Sequence, residues 1–501
     1  MTVELMNRLK RLTITIVFLI TCFSQVVSQE NEDKFSEFVG ANTFLGEYNK
    51  QYLADLSSCV KWVREYHAWS HYEKQNDRYS WADTTSRKDD VWARHYEFLE
   101  TCRELGVQVL LDVLNRPDWV NDEHIPNNTG DGSKSSDYIE RIEFVSQLVA
   151  RYGSTKIDTA LLETEDKTSG TGYVKYFEDD NEPNYWWKIP AWSAADYAQY
   201  CIGVHAGSGL QTTNEYPLLG IKSVDPNAMH VMAGLAKIDT LYISEVMKAC
   251  NGQIPFDILN VHMYCSDHKD YSFSPENEEH GFETYFFEYL KWKNRVLPDM
   301  PVWLTEFGWD TYKNEDGQHS YAYATPESQA NYLLRSFLIL KHLGFEKAFM
   351  YMAGDTDSKE ILQYATCGLF MDKKNKLKKK LSYYYLATLQ RILGDLVYDK
   401  ALTYRQKHGE NEVFNLKFTD RSSKKNVLVL WTRKIESDHD SGVKTEYQIE
   451  VTKDVNNAYL IKPNYLDMDG DTTLVKPQGG NLGVVLTETP QFLVIENDNL
   501  F

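Results

Sequence analysis

The chain of 501 residues has 42% hydrophobic and 25% charged side chains, proportions of a globular protein and not of a disordered or fibrous one. That length accommodates one large domain and a smaller one. A net charge of −20 argues against a general affinity for nucleic acid or anionic membrane surfaces and leaves a neutral or cationic partner.

The first residues read as an export signal, with no stable membrane partner expected. Arg8, Lys10 and Arg11 precede the apolar run "LTITIVFLITCF", and "SQVVSQE" offers small residues for cleavage near Ser24 or Ser28, so residues 1–28 are assigned to a signal peptide of a secreted or periplasmic protein. A retained anchor or a lipid-modified Cys22 is the weaker alternative. The remaining cysteines, Cys59, Cys102, Cys201, Cys250, Cys265 and Cys367, form no CxxC pair; a metal site is not expected, and disulfides and buried free thiols both stay open.

Eight short apolar runs follow in chain order: "FVGANTF" (38–44), "VKWVREY" (60–66), "VQVLLDVL" (107–114), "YVKYFEDD" (173–180), "HVMAGLA" (230–236), "FDILNVHMY" (256–264), "PVWLTEF" (301–307) and "KAFMYMA" (347–353). Between or after them lie stretches of helical period such as "VWARHYEFLETCRELG", "YIERIEFVSQLVARYG", "ESQANYLLRSFLILKHLG" and "LSYYYLATLQRILG", each closing on Gly. Eight such units predict a (β/α)₈ TIM barrel over residues 30–395. Beyond it, "VFNLKFTD", "NVLVLWTR", "EYQIEVT", "AYLIK", "LGVVLTE" and "PQFLVIE" are short strands without helical period, predicting a C-terminal β-sandwich domain over 396–501. Within it, "DMDGDTT" (467–473) resembles a calcium loop only superficially, because Gln478 stands where a bidentate Glu is needed, and it is read as a hairpin turn.

In such barrels chemistry sits where the strands end. The fourth predicted strand ends at Asn181-Glu182-Pro183 and the seventh at Thr305-Glu306-Phe307-Gly308, which points two glutamates into one mouth from opposite sides. A facing pair of carboxyl groups is what glycoside hydrolysis requires: one protonates the leaving oxygen while the other attacks the anomeric carbon or activates water. Upstream, "YFEDDNEPNYWW" crowds Glu178, Asp179 and Asp180 against Glu182, a density of like charge that calls for solvent, hydrogen-bond donors or a function. Only Glu182 has the Asn-Glu-Pro context.

With "DDNEPN" and "WLTEFGWDT" at those strand ends, the chain resembles the clan A glycoside hydrolases, the retaining (β/α)₈ superfamily that includes families 5 and 39, over roughly residues 38–395. The resemblance implies that Glu182 is the general acid/base and Glu306 the nucleophile of a two-step reaction through a covalent glycosyl-enzyme, with no cofactor and no metal. Glu182 is then expected to be held protonated by its ionised neighbour Glu306. Asn181 matches the residue that bonds the sugar 2-hydroxyl, Arg64 the arginine that keeps the nucleophile ionised, and His262 and Tyr264 an H-x-Y pattern that bonds nucleophile or substrate. A surface ion pair for Arg64 and a satisfied core histidine for His262 are the structural alternatives.

His67, Asn115 and Trp119 follow the second and third strands and are expected to line the cleft. Trp186, Trp187, Trp192 and Trp309 lie past catalytic strand ends, where stacking on pyranose rings would bind without charge, although core packing accounts for some of them. The eighth strand departs from the family pattern, with Tyr351 and Met352 where many members carry a Trp. Long polar arms, "DRYSWADTTSRKDD" and "SDHKDYSFSPENEEHGFE", suit substrate-shaping loops, and "NNT" at Asn127 is a glycosylation sequon if the host performs that chemistry. The expectation is therefore a secreted retaining β-glycosidase or β-glycanase acting on a neutral oligo- or polysaccharide. Its rivals are a catalytically inactive carbohydrate-binding barrel and a metal-dependent hydrolase, the latter lacking a cluster such as HExxH.

Overall fold

The structure is a computed structural model that describes residues 34–44, 49–79, 95–120, 131–164, 166–185, 187–188, 191–399, 403–420 and 425–496. The N-terminal segment, the Asn127 sequon, Trp186 and most of the first polar arm lie outside them.

Eight parallel strands make up the first body: β1 (Val39–Thr43), β2 (Trp62–Ala68), β3 (Gln108–Leu114), β4 (Tyr176–Glu178), β5 (Met229–Val231), β6 (Leu259–His262), β7 (Val302–Glu306) and β8 (Lys347–Met350). Each is followed by a helix: α1 (Lys50–Leu56), α2 (His95–Glu104), α3 (Ile139–Tyr152), α4 (Ala194–Ala206), α5 (Thr240–Ala249), α6 (Phe282–Val296), α7 (Pro326–Leu343) and α8 (Leu381–Leu393). The sheet runs β5-β4-β3-β2-β1-β8-β7-β6, and single bridges Val231 to Ile258 and Leu235 to Val261 close it into a barrel. The helices start and stop where side chains satisfy their free backbone groups. Thr325 caps α7 by accepting from Ser328 N, Pro326 fills its first turn, and Gly344 ends it at a left-handed φ of +91°.

The two-residue period of the strands sorts the barrel interior into layers. At the bottom Trp62, Leu110, Ile258, Trp303 and Phe349 form an apolar plug, with the Trp62 ring 5.4 Å from Trp303 and 5.0 Å from Tyr176. Two residues further along the same strands stand Arg64, Asp112, Glu178, Asn260 and Thr305, all fully buried. The plug keeps water out from below, so this polar layer must satisfy itself by internal hydrogen bonds.

The second body is antiparallel. Its larger sheet runs β10 (Thr403–His408), β11 (Asn411–Thr419), β12 (Lys425–Lys434), β17 (Gln491–Glu496), β14 (Ala458–Asn464), β15 (Asp467–Val475), with β9 (Val397–Tyr398) beside β11. The smaller pairs β13 (Thr445–Glu450) with β16 (Asn481–Leu486). Alternate residues of the larger sheet bury on opposite sides: Leu428, Leu430 and Leu493 face the smaller sheet's Leu482 and Leu486, while Phe414, Val429, Trp431 and Phe492 join the core that includes the barrel helices. A strand covered on both faces reads as an unbroken apolar run, as "NVLVLW" does. "DMDGDTT" is corrected here: it is the edge strand β15, and the turn lies just before it, where Leu466 takes a φ of +68°. Its alternation is polar because most of it is exposed, which disguised the strand. The six cysteines named above are free and buried.

The polar arm of 266–283 joins the two bodies. Glu276 accepts from the Trp431 indole at 2.9 Å and lies 3.3 Å from Arg335, whose other end reaches Asp440 at 2.6 Å. Arg335 and Glu276 are fully buried. Removing one partner of such a pair strands the other charge, so Arg335→Ala should lower stability by about 3–5 kcal/mol, read as a fall in the thermal midpoint of unfolding. A variant melting with the wild type would refute this account of the junction.

Candidate active site

The site is built on one guanidinium. Arg64 donates from Nε to Glu178 Oε2 at 2.6 Å and from Nη2 to Glu178 Oε1 at 2.9 Å, to Asp112 Oδ2 at 2.9 Å and to Asn181 Oδ1 at 2.8 Å. From Nη1 it donates to Glu306 Oε1 at 2.8 Å, to Asn42 Oδ1 at 3.0 Å and to Tyr66 Oη at 2.7 Å. Burial and the carboxylate of Glu178 push Asp112 well above the usual carboxylate range, although Arg64 opposes them. Burial likewise raises Glu178.

Glu306 would point away from Thr305 in a regular strand. The pairing of β6 with β7 shifts register between Val261 and His262, so that His262 stands opposite Glu306, and both Thr305 and Glu306 reach the polar interior. Glu306 Oε1 also accepts from Tyr66 Oη at 2.7 Å and Oε2 from Tyr264 Oη at 2.9 Å. Tyr264 stacks on Tyr364 at 4.2 Å and Tyr66 on Phe44 at 5.1 Å, while Tyr351, on the strand end without a Trp, packs edge-on to both Phe44 and Tyr364.

Glu182 sits opposite with a φ of +49°, a left-handed conformation costly for a non-glycine residue; its N–H donates to the Gly234 carbonyl at 2.9 Å, which holds that turn. Its Oε1 lies 2.8 Å from His262 Nδ1, and its Oε2 accepts from the Trp187 indole at 2.5 Å. Gly234 is obligatory for this packing, because a Cβ there would stand 2.2 Å from His262 Nε2. One carboxylate oxygen of each of Glu182 and Glu306, together with a His262 ring nitrogen, lie within 4.8 Å of one another. Two carboxylates and an imidazole form a donor set that could hold a metal ion, although each already has hydrogen-bond partners within the chain.

The expected direction at Glu182 is reversed. Burial raises its pKa, but the hydrogen bond and charge of His262 and the Trp187 indole outweigh burial and hold it below the usual value. The neighbour that decides is the imidazole rather than Glu306. The crowded acids upstream are each given their own partner: Glu178 has Arg64, Asp179 accepts from Tyr197 at 2.8 Å and faces His230 at 3.0 Å, and Asp180 pairs with Lys188 and with Arg141 at 3.5 Å. All three are buried, so solvent plays no part in their separation.

Arg64, Asn181, His262, Tyr264 and Trp187 thus come together around the two glutamates; of the other proposed lining residues, Trp309, Trp192, His67, Trp119 and Asn115 do not, and Trp186 lies outside the described residues. Trp309 is 1% exposed, packed against Tyr332, with its indole N–H donated to the Phe273 carbonyl at 3.1 Å, because the segment after β7 folds under the second polar arm. Trp192 is equally buried against Tyr138. His67 is stacked between Tyr72 at 4.0 Å and His95 at 4.2 Å in the packing outside the barrel wall, as its odd position relative to Arg64 and Tyr66 demands. Trp119 donates its indole N–H to the Glu73 carbonyl at 2.8 Å in the same region, and Asn115 is exposed at a φ of +57°. Sequence reasoning missed Tyr66, Asn42, Asp112 and Thr305. Tyr66 was within its reach, two residues past Arg64 on one strand and therefore on the same face.

No family model matches the chain, and no curated protein matches its sequence. Solved structures do match its fold. A family 39 glycoside hydrolase from Bacteroides cellulosilyticus is 17% identical, with 93% of this chain and 82% of that one covered at a TM-score of 0.64. A family 30 endoxylanase from Clostridium papyrosolvens is 10% identical, with 92% and 96% covered at 0.55, and a family 51 α-L-arabinofuranosidase from Bifidobacterium longum is 11% identical, with 93% and 96% covered at 0.54. The coverage extends over both bodies, so the barrel and the appended β-sheets together form an architecture that this chain shares with glycoside hydrolases of several families.

Proposed function

We propose that the chain is an exported retaining glycoside hydrolase acting on β-linked oligo- or polysaccharide, with Glu306 as nucleophile and Glu182 as acid/base. The observation that carries this reading is the approach of the two carboxylates to within 4.8 Å while each is held by a different set of partners. Retaining enzymes place such groups about 5 to 5.5 Å apart, and inverting ones leave room for a water.

Three donors, Arg64, Tyr66 and Tyr264, converge on Glu306. They fix the direction of its carboxylate, so that it attacks the anomeric carbon as the leaving oxygen departs. With Oδ1 engaged by Arg64, Asn181 keeps its Nδ2 donor without a partner among the described residues, which suits a bond to the sugar 2-hydroxyl.

The acid is a pair. Asn260 donates to Glu178 at 2.8 Å, Thr305 donates its single proton to Asn260 Oδ1 at 2.7 Å, and Thr305 Oγ1 can therefore only accept from His262 Nε2 at 3.0 Å. His262 then carries a proton on Nε2, and its Nδ1 shares one further proton with Glu182. Whichever atom holds that proton at rest, it is available to the leaving oxygen; afterwards Glu182 is the base that takes a proton from water.

With an aryl β-glycoside, Glu306→Ala should lose turnover by a factor on the order of 10³ or more, and equal turnover by wild type and variant would favour an inactive binding barrel. Glu182→Ala should lose about 10²–10⁴-fold on substrates with poor leaving groups, less on activated aryl ones, and recover on the latter with azide; loss without rescue would remove Glu182 from this role.

A pH profile tests the shared proton. In His262→Gln the proton rests on Glu182 alone, and a lone carboxyl gives it up at lower pH than an imidazole–carboxylate pair. The alkaline limb of kcat/KM should therefore move to lower pH by about one unit or more. An unmoved alkaline limb would show that no proton is shared.

A further inference from the structure

Outside the catalytic mouth, the segment after β2 meets α3 and the chain that follows it across a surface made of carboxyl groups. Glu73, Asp77, Glu140, Glu143 and Glu163 gather there, and among the described residues no Lys or Arg forms an ion pair with any of them. Glu73 is accounted for, accepting from the Trp69 indole at 2.6 Å and from Asp77 N at 3.0 Å. One oxygen of Glu140 accepts from Tyr216 Oη at 2.8 Å.

The rest is not accounted for. Glu143 is 0% exposed and neither of its carboxyl oxygens has a hydrogen-bond partner; one buried oxygen of Glu140 and one of Glu163 are in the same state. Single oxygens of Asp77, Glu140 and Glu143 lie within 4.8 Å of one another. The side chains of Glu143 and Glu163 meet within hydrogen-bonding reach, a contact two carboxyl groups make only by keeping a proton between them, and burial together with the charge of Glu163 pushes Glu143 up to about 11. A buried carboxyl group turned toward two or three others, with no N–H or hydroxyl donor on either oxygen, lacks the compensation that burial of a polar group calls for.

A cation supplies that compensation. We propose that Asp77, Glu140, Glu143 and Glu163 bind a calcium ion that ties the segment after β2 to α3. The ligand set is all oxygen and all carboxylate, with neither sulfur nor imidazole, which selects a hard cation. Calcium takes six to eight oxygens at about 2.3–2.6 Å, so two ligands on one ion stand up to roughly 5 Å apart, as they do here; magnesium demands a tighter octahedron and keeps more of its water. The ion's consequence is local order. Through Glu73, the clamped segment is tied to Trp69 and Trp119 in the packing outside the barrel wall.

The test is equilibrium dialysis of the chelator-stripped full chain against CaCl₂ up to about 5 mM, above the Kd of roughly 10⁻⁴–10⁻³ M seen in weak protein sites. Wild type and Glu306→Gln should each take up one Ca²⁺ that Glu143→Gln does not, and the ion should raise the thermal midpoint of the first two only. Asp77 is exposed and plays no part in the core, so Asp77→Asn should fold even if Glu143→Gln does not; its Kd should rise at least tenfold. Absence of binding to wild type, wild-type binding by Asp77→Asn, or loss of binding in Glu306→Gln would each overturn the site.

Discussion

A single buried guanidinium organises this molecule. Arg64, with no exposed surface, is hydrogen-bonded to groups on β1, β3, β7 and the β4 end, and the carboxylates of Asp112, Glu178 and Glu306 all lie on it. A charge taken out of water is tolerated only when its donors are met, and Arg64 has carboxylates or amide oxygens on every side. Such a cluster is weak evidence for stability and strong evidence for position, because the planar fork leaves each carboxylate little freedom. The apolar plug beneath, built by the same strands two residues earlier, keeps the cluster dry.

From that constraint the two glutamates inherit opposite environments. Glu306 is an acceptor at the centre of convergent donors. Glu182, held in a left-handed turn, is paired to an imidazole whose tautomer is dictated by Thr305, Asn260 and finally Glu178, a carboxylate of the same Arg64 cluster. One network therefore gives the two carboxyl groups different partners, the separation of environments on which carboxylate-pair chemistry depends.

The antiparallel body packs against the barrel's periphery. The central strands of its larger sheet, β11, β12 and β17, are buried on both faces, once by the smaller sheet and once by the barrel, and the arm carrying Glu276 is locked under it through Trp431 and Arg335. An arm whose polar composition suits a substrate-shaping loop thus spends its central residues on the junction between the two bodies.

What the sequence determined by itself was everything carried by local pattern. Eight apolar runs separated by helical stretches named the barrel, and Asn181-Glu182-Pro183 and Glu306 marked strand ends whose meeting follows from parallel strands closing on themselves. Tertiary structure alone decided what depends on neighbours distant in the chain. Trp187 lies beside Glu182 while Trp309 and Trp192 are core, although all three follow strand ends, because burial is set by what folds over them. Glu178, Asp179 and Asp180 are consecutive, yet their charges are answered by Arg64, by Tyr197 and His230, and by Lys188 and Arg141. The register shift that brings Glu306 inward, and the imidazole that lowers Glu182 where a like charge was expected to raise it, arise between strands and leave no mark on either strand's own sequence. Hydrophobic period is a property of a segment, whereas the partner of a charge is a property of the fold.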